Sequence, residues 1–103
     1  MEICEKARSG HNATWRCPKK TSIAEVIGAT YGRVYSSGGS GSCAEGREGL
    51  EPLEWCHAAN SLSVMQEACV GKTECTVKAD VKVFGNDPCK GESKHLLAAV
   101  RCE

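Results

Sequence analysis

The stretch of sequence with the clearest potential for chemistry is residues 84–94, which read FGNDPCKGESK. Asp87 and Lys94 bracket a turn restricted by a proline, a cysteine and a glycine. Sugars are bound by polar groups that bond to neighbouring hydroxyls, often with an aromatic ring beneath them. A carboxylate, an ammonium and a glycine held in one turn suit that chemistry. An ordinary solvated turn with a surface ion pair explains the same residues, and composition alone favours that simpler explanation.

Catalytic chemistry has little support in the sequence. His11, His57 and His95 lie in a turn, before a helix and in a strand, where surface or packing roles are the usual ones. The chain has no Gly-x-Ser-x-Gly, no His-Glu-x-x-His and no phosphate-binding loop, because the glycine-rich run at residues 38–41 lacks a following lysine. The sequence therefore predicts a non-enzymatic domain with no metal and no cofactor.

Eight cysteines dominate the composition of this 11.0 kDa chain. An even count in a short chain indicates four disulfides formed in an oxidising compartment, and pairing would leave no cysteine nucleophile. Structural zinc is the alternative, but zinc ligands usually come in close pairs such as C-x-x-C, and none is present. Spacing alone cannot choose among the 105 possible pairings. The cysteines are Cys4, Cys17, Cys43, Cys56, Cys69, Cys75, Cys89 and Cys102.

Charge and hydropathy exclude several classes of partner. The 13 basic and 13 acidic residues cancel, and the basic residues are scattered, which disfavours nucleic-acid binding. No run of 18 apolar residues could span a membrane, and the polar start is not a signal peptide. We therefore interpret the chain as a monomeric domain of a longer secreted or extracellular protein. A sequon at residues 12–14, Asn-Ala-Thr, gives weak support for secretion.

The elements that would position the turn are short. The length of 103 residues fits one α+β domain, and strands are predicted within residues 1–17, 21–35, 75–80 and 96–102. The long strand carries an irregularity near Gly28. Residues 60–70 predict a helix capped by Asn60 or Ser61 and ended by Gly71. Its predicted core-facing residues are Leu62, Met65, Ala68 and Cys69.

A long segment at residues 36–54 is rich in Gly, Ser and Glu and lacks an apolar pattern. We predict one exposed loop here, pinned by Cys43. Loops of this length in compact domains are often functional, but an inert insertion fits equally well.

Several motifs resemble those of the galactose- or rhamnose-binding (SUEL-type) lectin domain, first described in sea-urchin egg lectin. Similar domains occur in fish-egg lectins, in latrophilin-type receptors and at the C-terminus of plant β-galactosidases. The resemblance covers residues 1–103 and includes the order of the eight cysteines. The motifs are Cys4-Glu5, Ala29-Thr30-Tyr31-Gly32-Arg33, Asn60-Ser61-Leu62-Ser63-Val64, and residues 84–91 followed by Lys94.

The resemblance implies a compact antiparallel β-sandwich that holds one long helix and four disulfides. Those pairs would be Cys4–Cys43, Cys17–Cys102, Cys56–Cys89 and Cys69–Cys75. It also implies a sugar site in which Glu5 holds ring hydroxyls and Tyr31 packs beside the sugar. The remaining sugar-binding residues that it implies are Asp87, Gly91 and Lys94.

Two departures from the animal lectins affect the functional expectation: Asn86 lengthens the Asp-Pro-Cys motif by one residue, and the loop at 36–54 is longer. The resemblance implies a non-catalytic module that binds galactose- or rhamnose-type sugars, such as those of a cell-wall polysaccharide. It would be an accessory domain of a larger secreted protein such as a plant β-galactosidase. The alternative is a protein-interaction or structural domain that keeps the fold without binding simple sugars.

Overall fold

The fold comes from a computed structural model that describes residues 1–34, 41–42, 52–85 and 87–103. In these ranges the chain forms seven strands and two helices. The strands are β1 (Glu2–Arg8), β2 (Asn12–Arg16), β3 (Ile23–Val34), β4 (Gly41–Ser42), β5 (Pro52–His57), β6 (Glu74–Lys78) and β7 (His95–Cys102). The helices are α1 (Ser61–Cys69) and α2 (Val81–Phe84).

The larger sheet has five antiparallel strands in the order β4-β1-β7-β3-β5. Its central strand β7 reads HLLAAVRC, and residues 96–100 are buried on both faces. A continuous apolar run of this kind belongs in the middle of a sheet, where both faces are covered. The pairing of β3 with β7 shifts register between Val26 and Gly28, as the sequence predicted for this strand.

The smaller sheet pairs β2 with β6 and shares a core with the larger one. Ala13 and Trp15 alternate with outward-facing residues along β2, which places both in that core. The Trp15 indole N–H donates to the carbonyl oxygen of Ala98 at 2.9 Å. This bond satisfies a buried donor and joins the two sheets.

Helix α1 lies within the predicted range, but one predicted core residue is wrong. Leu62 is 41% exposed, whereas Ser61 is fully buried. The Ser61 hydroxyl donates to the carbonyl of Ala58 and accepts from the backbone N–H of Tyr31. A polar residue can face the core here because both bonds are made inside the protein. Asn60 occupies the N-cap position without a capping bond from its side chain.

The predicted single long helix is also wrong, because α1 has nine residues and a second helix follows it. Helix α2 has only four residues, which is too short for a periodic sequence signal. Asp80 caps it by accepting from the backbone N–H of Lys82. The chain is thus a small α+β domain built from antiparallel sheets.

Three of the disulfides implied by the resemblance are present: Cys17–Cys102, Cys56–Cys89 and Cys69–Cys75. The fourth implied pair involves Cys43, which lies outside the described residues. Within the range predicted as a loop, Gly41 and Ser42 of β4 pair with β1, and Pro52, the first residue of β5, pairs with Val34 of β3. The rest of that range also lies outside the described residues.

Candidate functional site

The turn before β7 is fixed by its own hydrogen bonds. Asp87 accepts from the backbone N–H of Cys89 at 3.1 Å, and Glu92 N–H donates to the Cys89 carbonyl at 3.2 Å. Gly91 has a φ of +82°, a conformation that glycine adopts without strain. The Cys56–Cys89 disulfide ties the turn to β5. Local bonds and a covalent anchor therefore order this segment, although Asn86 within it is not described.

Lys94 lies beneath the turn and is only 6% exposed. Its ammonium donates to Asp87 Oδ1 at 2.8 Å, to the Cys89 carbonyl at 2.9 Å and to the Glu92 carbonyl at 2.7 Å. Because an ammonium has three donors, all of them are used inside the chain. Lys94 thus organises the turn, and its charge is balanced by Asp87.

The Asp87 carboxylate is held by the same contacts, which also affect its pKa. The hydrogen bond from Lys94 is the main cause that lowers the pKa of this carboxyl, and the Cys89 N–H bond lowers it further. Both contacts use Oδ1. The second oxygen, Oδ2, takes part in neither contact, so the turn holds an ionised carboxylate with one oxygen outside these two hydrogen bonds.

Tyr31 supports the turn from inside the core. It is 1% exposed, and its ring stacks on Phe84 with centroids 4.4 Å apart and planes 5° from parallel. Burial raises the pKa of the Tyr31 phenol, and the negative charges of Asp87 and Asp80 raise it further. The phenol is therefore within electrostatic range of the Asp87 carboxylate, but its ring face is covered by protein.

Glu5 lies apart from these residues. It pairs with Ala98, whereas Lys94 directly precedes the first residue of β7. At about 3.4 Å per residue, Glu5 is about 14 Å along the sheet from Lys94. Its Oε2 atom is buried without a hydrogen-bond partner, and no contact among the described residues joins it to Asp87 or Lys94. Among the described contacts, Asp87 and Lys94 are bonded within one turn that also contains Gly91, and the charge of Asp87 acts on Tyr31. No such contact joins Glu5 to them.

Two histidines that were expected to have surface or packing roles lie opposite the same glycine. His57 and His95 both pair with Gly32, one from each side of β3. His57 Nδ1 and His95 Nε2 are buried without hydrogen-bond partners. The strand position of His95 was predicted from the sequence, whereas His57 was placed only before a helix, and the cross-strand pairing that brings both to one glycine was not predicted. Gly32 itself is required because a Cβ there would overlap the carbonyl oxygen of Cys56.

Two further observations concern metal binding and membrane-spanning helices. Among the described residues, no three His, Cys, Asp or Glu side chains form a group that could hold a metal ion. None of the helices in those ranges is long and apolar enough to cross a membrane.

Comparison with known proteins decides the family. The profile of the D-galactoside/L-rhamnose binding SUEL lectin domain matches residues 15–102, which include the whole turn and the three described disulfides. The chain belongs to the SUEL lectin domain family. The resemblance inferred from the motifs is confirmed, and it associates this lectin domain with the binding of galactosides or rhamnosides.

The relatives of the lectin domain include lectins of similar length and longer proteins of which it covers only a part. It is 34% identical over 98 residues to L-rhamnose-binding lectin ELEL-1 of Echinometra lucunter, covering 95% of this chain and 88% of that protein. It is 33% identical over 103 residues to the D-galactoside-specific lectin of Heliocidaris crassispina, covering 97% of this chain and 86% of that protein. Beta-galactosidase 3 of Oryza sativa subsp. japonica is 35% identical over 86 residues, which are 84% of this chain but only 9% of that protein.

Proposed function

We propose that this lectin domain is a non-catalytic carbohydrate-binding module that recognises galactose- or rhamnose-type sugars at the 87–94 turn. The observation that carries the proposal is the ordered Asp87 carboxylate, with Oδ1 bonded inside the protein and Oδ2 free of those contacts. A carboxylate oxygen fixed before the ligand arrives can accept from a sugar hydroxyl without an ordering cost.

The other residues at the turn have distinct proposed roles. Gly91 leaves the surface open, since nothing lies within 4 Å of the position where a Cβ would stand. Lys94 is a positioning residue, because all three of its donors already hold the turn. Tyr31 supports the turn from below rather than stacking on the sugar. Glu5 is proposed as a second sugar-binding carboxylate on the strength of the family motif, and its Oε2 atom lacks a hydrogen-bond partner.

The broader setting is proposed from the relatives. The match to 9% of a rice β-galactosidase supports an accessory domain of a larger secreted protein, which holds that protein on cell-wall polysaccharide. Disulfides support an extracellular location. A protein-interaction domain is the second candidate, because the buried Tyr31 ring offers no apolar face on which a sugar could stack.

The two candidates are separated by titrating the folded domain with L-rhamnose, D-galactose and β-galactan oligosaccharides while NMR amide shifts are followed. We expect local shifts at Asp87, Gly91 and Lys94. Shifts unchanged by saturating sugar and oligosaccharide would reject the carbohydrate module and favour the protein-interaction domain.

Substitution at the turn tests the site itself. We expect Asp87→Asn to weaken sugar binding by about 1–3 kcal/mol, roughly 5–150-fold, because an amide replaces an acceptor oxygen with a donor. Lys90→Ala is the control, since Lys90 is an exposed residue of the same turn whose charge acts on Asp87 but whose side chain makes no hydrogen bond among the described residues. A larger loss from Lys90→Ala than from Asp87→Asn would place the site elsewhere. Glu5→Gln is measured separately with monosaccharide and oligosaccharide.

Sugar binding is expected to be independent of metal ions. The proposed contacts need no cation bridge, and the ammonium of Lys94 occupies the position next to Asp87. Binding curves measured in EDTA and in added Ca²⁺ are expected to coincide. Loss of binding in EDTA and its return with Ca²⁺ would contradict the proposed site.

A further inference from the structure

The sequon at residues 12–14 lies at the start of β2, and the proposed sugar site makes no use of it. Asn12 is exposed, Ala13 is buried in the core and Thr14 is partly exposed. Because successive side chains of a strand point to opposite faces, Asn12 and Thr14 share the face of the smaller sheet that points away from the core. These are the two residues by which an N-glycosylation acceptor is recognised.

The Asn12 carboxamide is not used by the fold. Its side chain makes no hydrogen bond within the part of the chain that the structure describes. Asn60, by contrast, donates from Nδ2 to the carbonyl of Phe84 at 2.6 Å, and it stands outside any sequon. A modification that replaces a proton on Asn12 Nδ2 therefore breaks no side-chain contact of the folded domain.

The space around Asn12 is open. Residues 8–12 are all exposed, and nothing lies within 4 Å of the position where a Cβ would stand on Gly10. The outward face of the smaller sheet is polar throughout, and none of its six residues is buried. They are Asn12, Thr14, Arg16, Glu74, Thr76 and Lys78. A solvated polar face of this kind leaves room for a bulky hydrophilic group.

The order of the elements keeps the sequon unpaired while the chain is made. Thr14 pairs with Thr76, and their hydroxyls bond at 2.9 Å across a separation of 62 residues. The disulfide that ends β2 joins Cys17 to Cys102, 85 residues later. At about 5–20 residues per second, Thr76 follows the sequon by about 3–12 s. Asn12 and Thr14 are therefore accessible to a modifying enzyme before the β2–β6 ladder forms.

We propose that Asn12 carries an N-linked glycan, attached during synthesis and projecting from the outward face of the smaller sheet. In the transfer, Asn12 Nδ2 forms a bond to C1 of an oligosaccharide, and the bond from C1 to a lipid pyrophosphate breaks. The lipid pyrophosphate leaves, and the proton lost from Nδ2 passes to a base of the transferase. Thr14 supplies the hydroxyl that the acceptor motif requires. The inference rests on the proposed secretion of the domain but not on its binding of sugar.

The test is secretion of the chain from cultured eukaryotic cells, with a cleavable leader supplied, followed by intact mass spectrometry. We expect most molecules to exceed the polypeptide mass by one N-glycan. Peptide N-glycosidase is expected to remove the excess and to leave an aspartate at position 12. Protein retained in the secretory compartment is measured in the same way, so poor export does not hide the result. Protein with the mass of the polypeptide alone would overturn the inference.

Matched variants separate the sequon from the strand that contains it. Asn12→Gln removes the acceptor, and Thr14→Val removes the hydroxyl but keeps a β-branched side chain, so both are expected to lose the glycan. Thr14→Ser keeps the sequon, and Thr76→Val breaks the same Thr14–Thr76 bond without altering the sequon, so both are expected to keep it. A glycan that survives Asn12→Gln, or one that is lost in Thr76→Val, would contradict the inference. Sugar binding is measured separately, so neither result decides the proposed function.

Discussion

At the scale of single residues, the pair of Asp87 and Lys94 is the interaction on which the site depends. Lys94 is almost fully buried, and a buried ammonium is tolerated only when its charge and its donors are matched. One carboxylate and two carbonyls provide that match. The ammonium in turn fixes which oxygen of Asp87 is directed inward, so stability and ligand binding are linked at one carboxylate.

This link predicts a pH dependence of stability. The hydrogen bond from Lys94 holds the pKa of Asp87 below its ordinary value of about 3.9. The unfolded chain therefore takes up this proton more readily, so the stabilisation is complete above about pH 4 and lost as the pH falls through the folded-state pKa. We expect Asp87→Asn to lower the free energy of unfolding at pH 6, with a difference from the parent that shrinks towards pH 2.

The measurement is urea denaturation of both proteins across this pH range with the disulfides intact. Glu67→Gln, on the exposed face of α1, is the control for general loss of a carboxylate. A difference between the parent and Asp87→Asn that stays constant from pH 6 to pH 2 would show that the pair contributes nothing through its charge.

The sequence could indicate the turn but not the geometry of its atoms. Asp87, Gly91 and Lys94 were identified because their types and spacing suit a ligand site and match the family motif. The stacking of Phe84 on Tyr31 depends on packing between segments that are distant in the sequence, and no local pattern encodes it. The bonds of Lys94 lie within its own turn, but they depend on the backbone conformation of that turn, which residue types and spacing do not specify. The position of Glu5, opposite Ala98, likewise follows from strand register.

At the scale of elements, two glycines serve different purposes. Gly71 follows α1 with a φ of +88° and has nothing within 4 Å of a Cβ position, so it is needed for its conformation. Gly32 is needed for space, since a Cβ there would meet the carbonyl of Cys56 on β5. One glycine forms the turn that follows a helix, and the other allows two strands to approach.

Substitutions distinguish these two purposes. We expect Gly71→Ala to cost about 1–2 kcal/mol of unfolding free energy, and Gly71→Asn to cost less because asparagine tolerates the left-handed conformation. At Gly32 the order is reversed, since the larger asparagine is expected to cost more than alanine, which itself costs about 1–3 kcal/mol. Thermal unfolding of the four variants provides the comparison, and the same order at both glycines would refute it.

Secondary-structure features were predicted correctly where the sequence carries a strong local signal. The apolar run of β7 and the irregularity in β3 were predicted, because each has a local physical cause. Gly71 was predicted as the C-cap of α1, but the C-cap is Val70, and Gly71 follows it with a positive φ. The inward face of α1 was partly wrong because Leu62 is apolar and Ser61 is not. Ser61 faces the core instead because its hydroxyl finds hydrogen-bond partners on Tyr31 and Ala58.

At the scale of the whole molecule, covalent links supplement a core that is small for two sheets. Cys17–Cys102 joins the end of β2 to the end of β7 and so ties the smaller sheet to the larger. Cys69–Cys75 joins the end of α1 to β6, and Cys56–Cys89 fixes the turn that holds Asp87. Each described disulfide connects separate elements, which is how a domain of this size reaches useful stability.

The three links are not expected to contribute equally. Cys17 and Cys102 are separated by 85 residues, whereas Cys69 and Cys75 are separated by 6. The loop-entropy model gives about 4–5 kcal/mol for the long loop and about 2 kcal/mol for the short one.

We expect the Cys17→Ala, Cys102→Ala double variant to lose about 2 kcal/mol more unfolding free energy than the Cys69→Ala, Cys75→Ala double variant. All four cysteines are buried, so both variants leave a cavity, and the difference isolates the loop. Urea denaturation under oxidising conditions measures both losses. Equal losses would show that local packing, rather than restriction of the unfolded chain, sets the value of these disulfides.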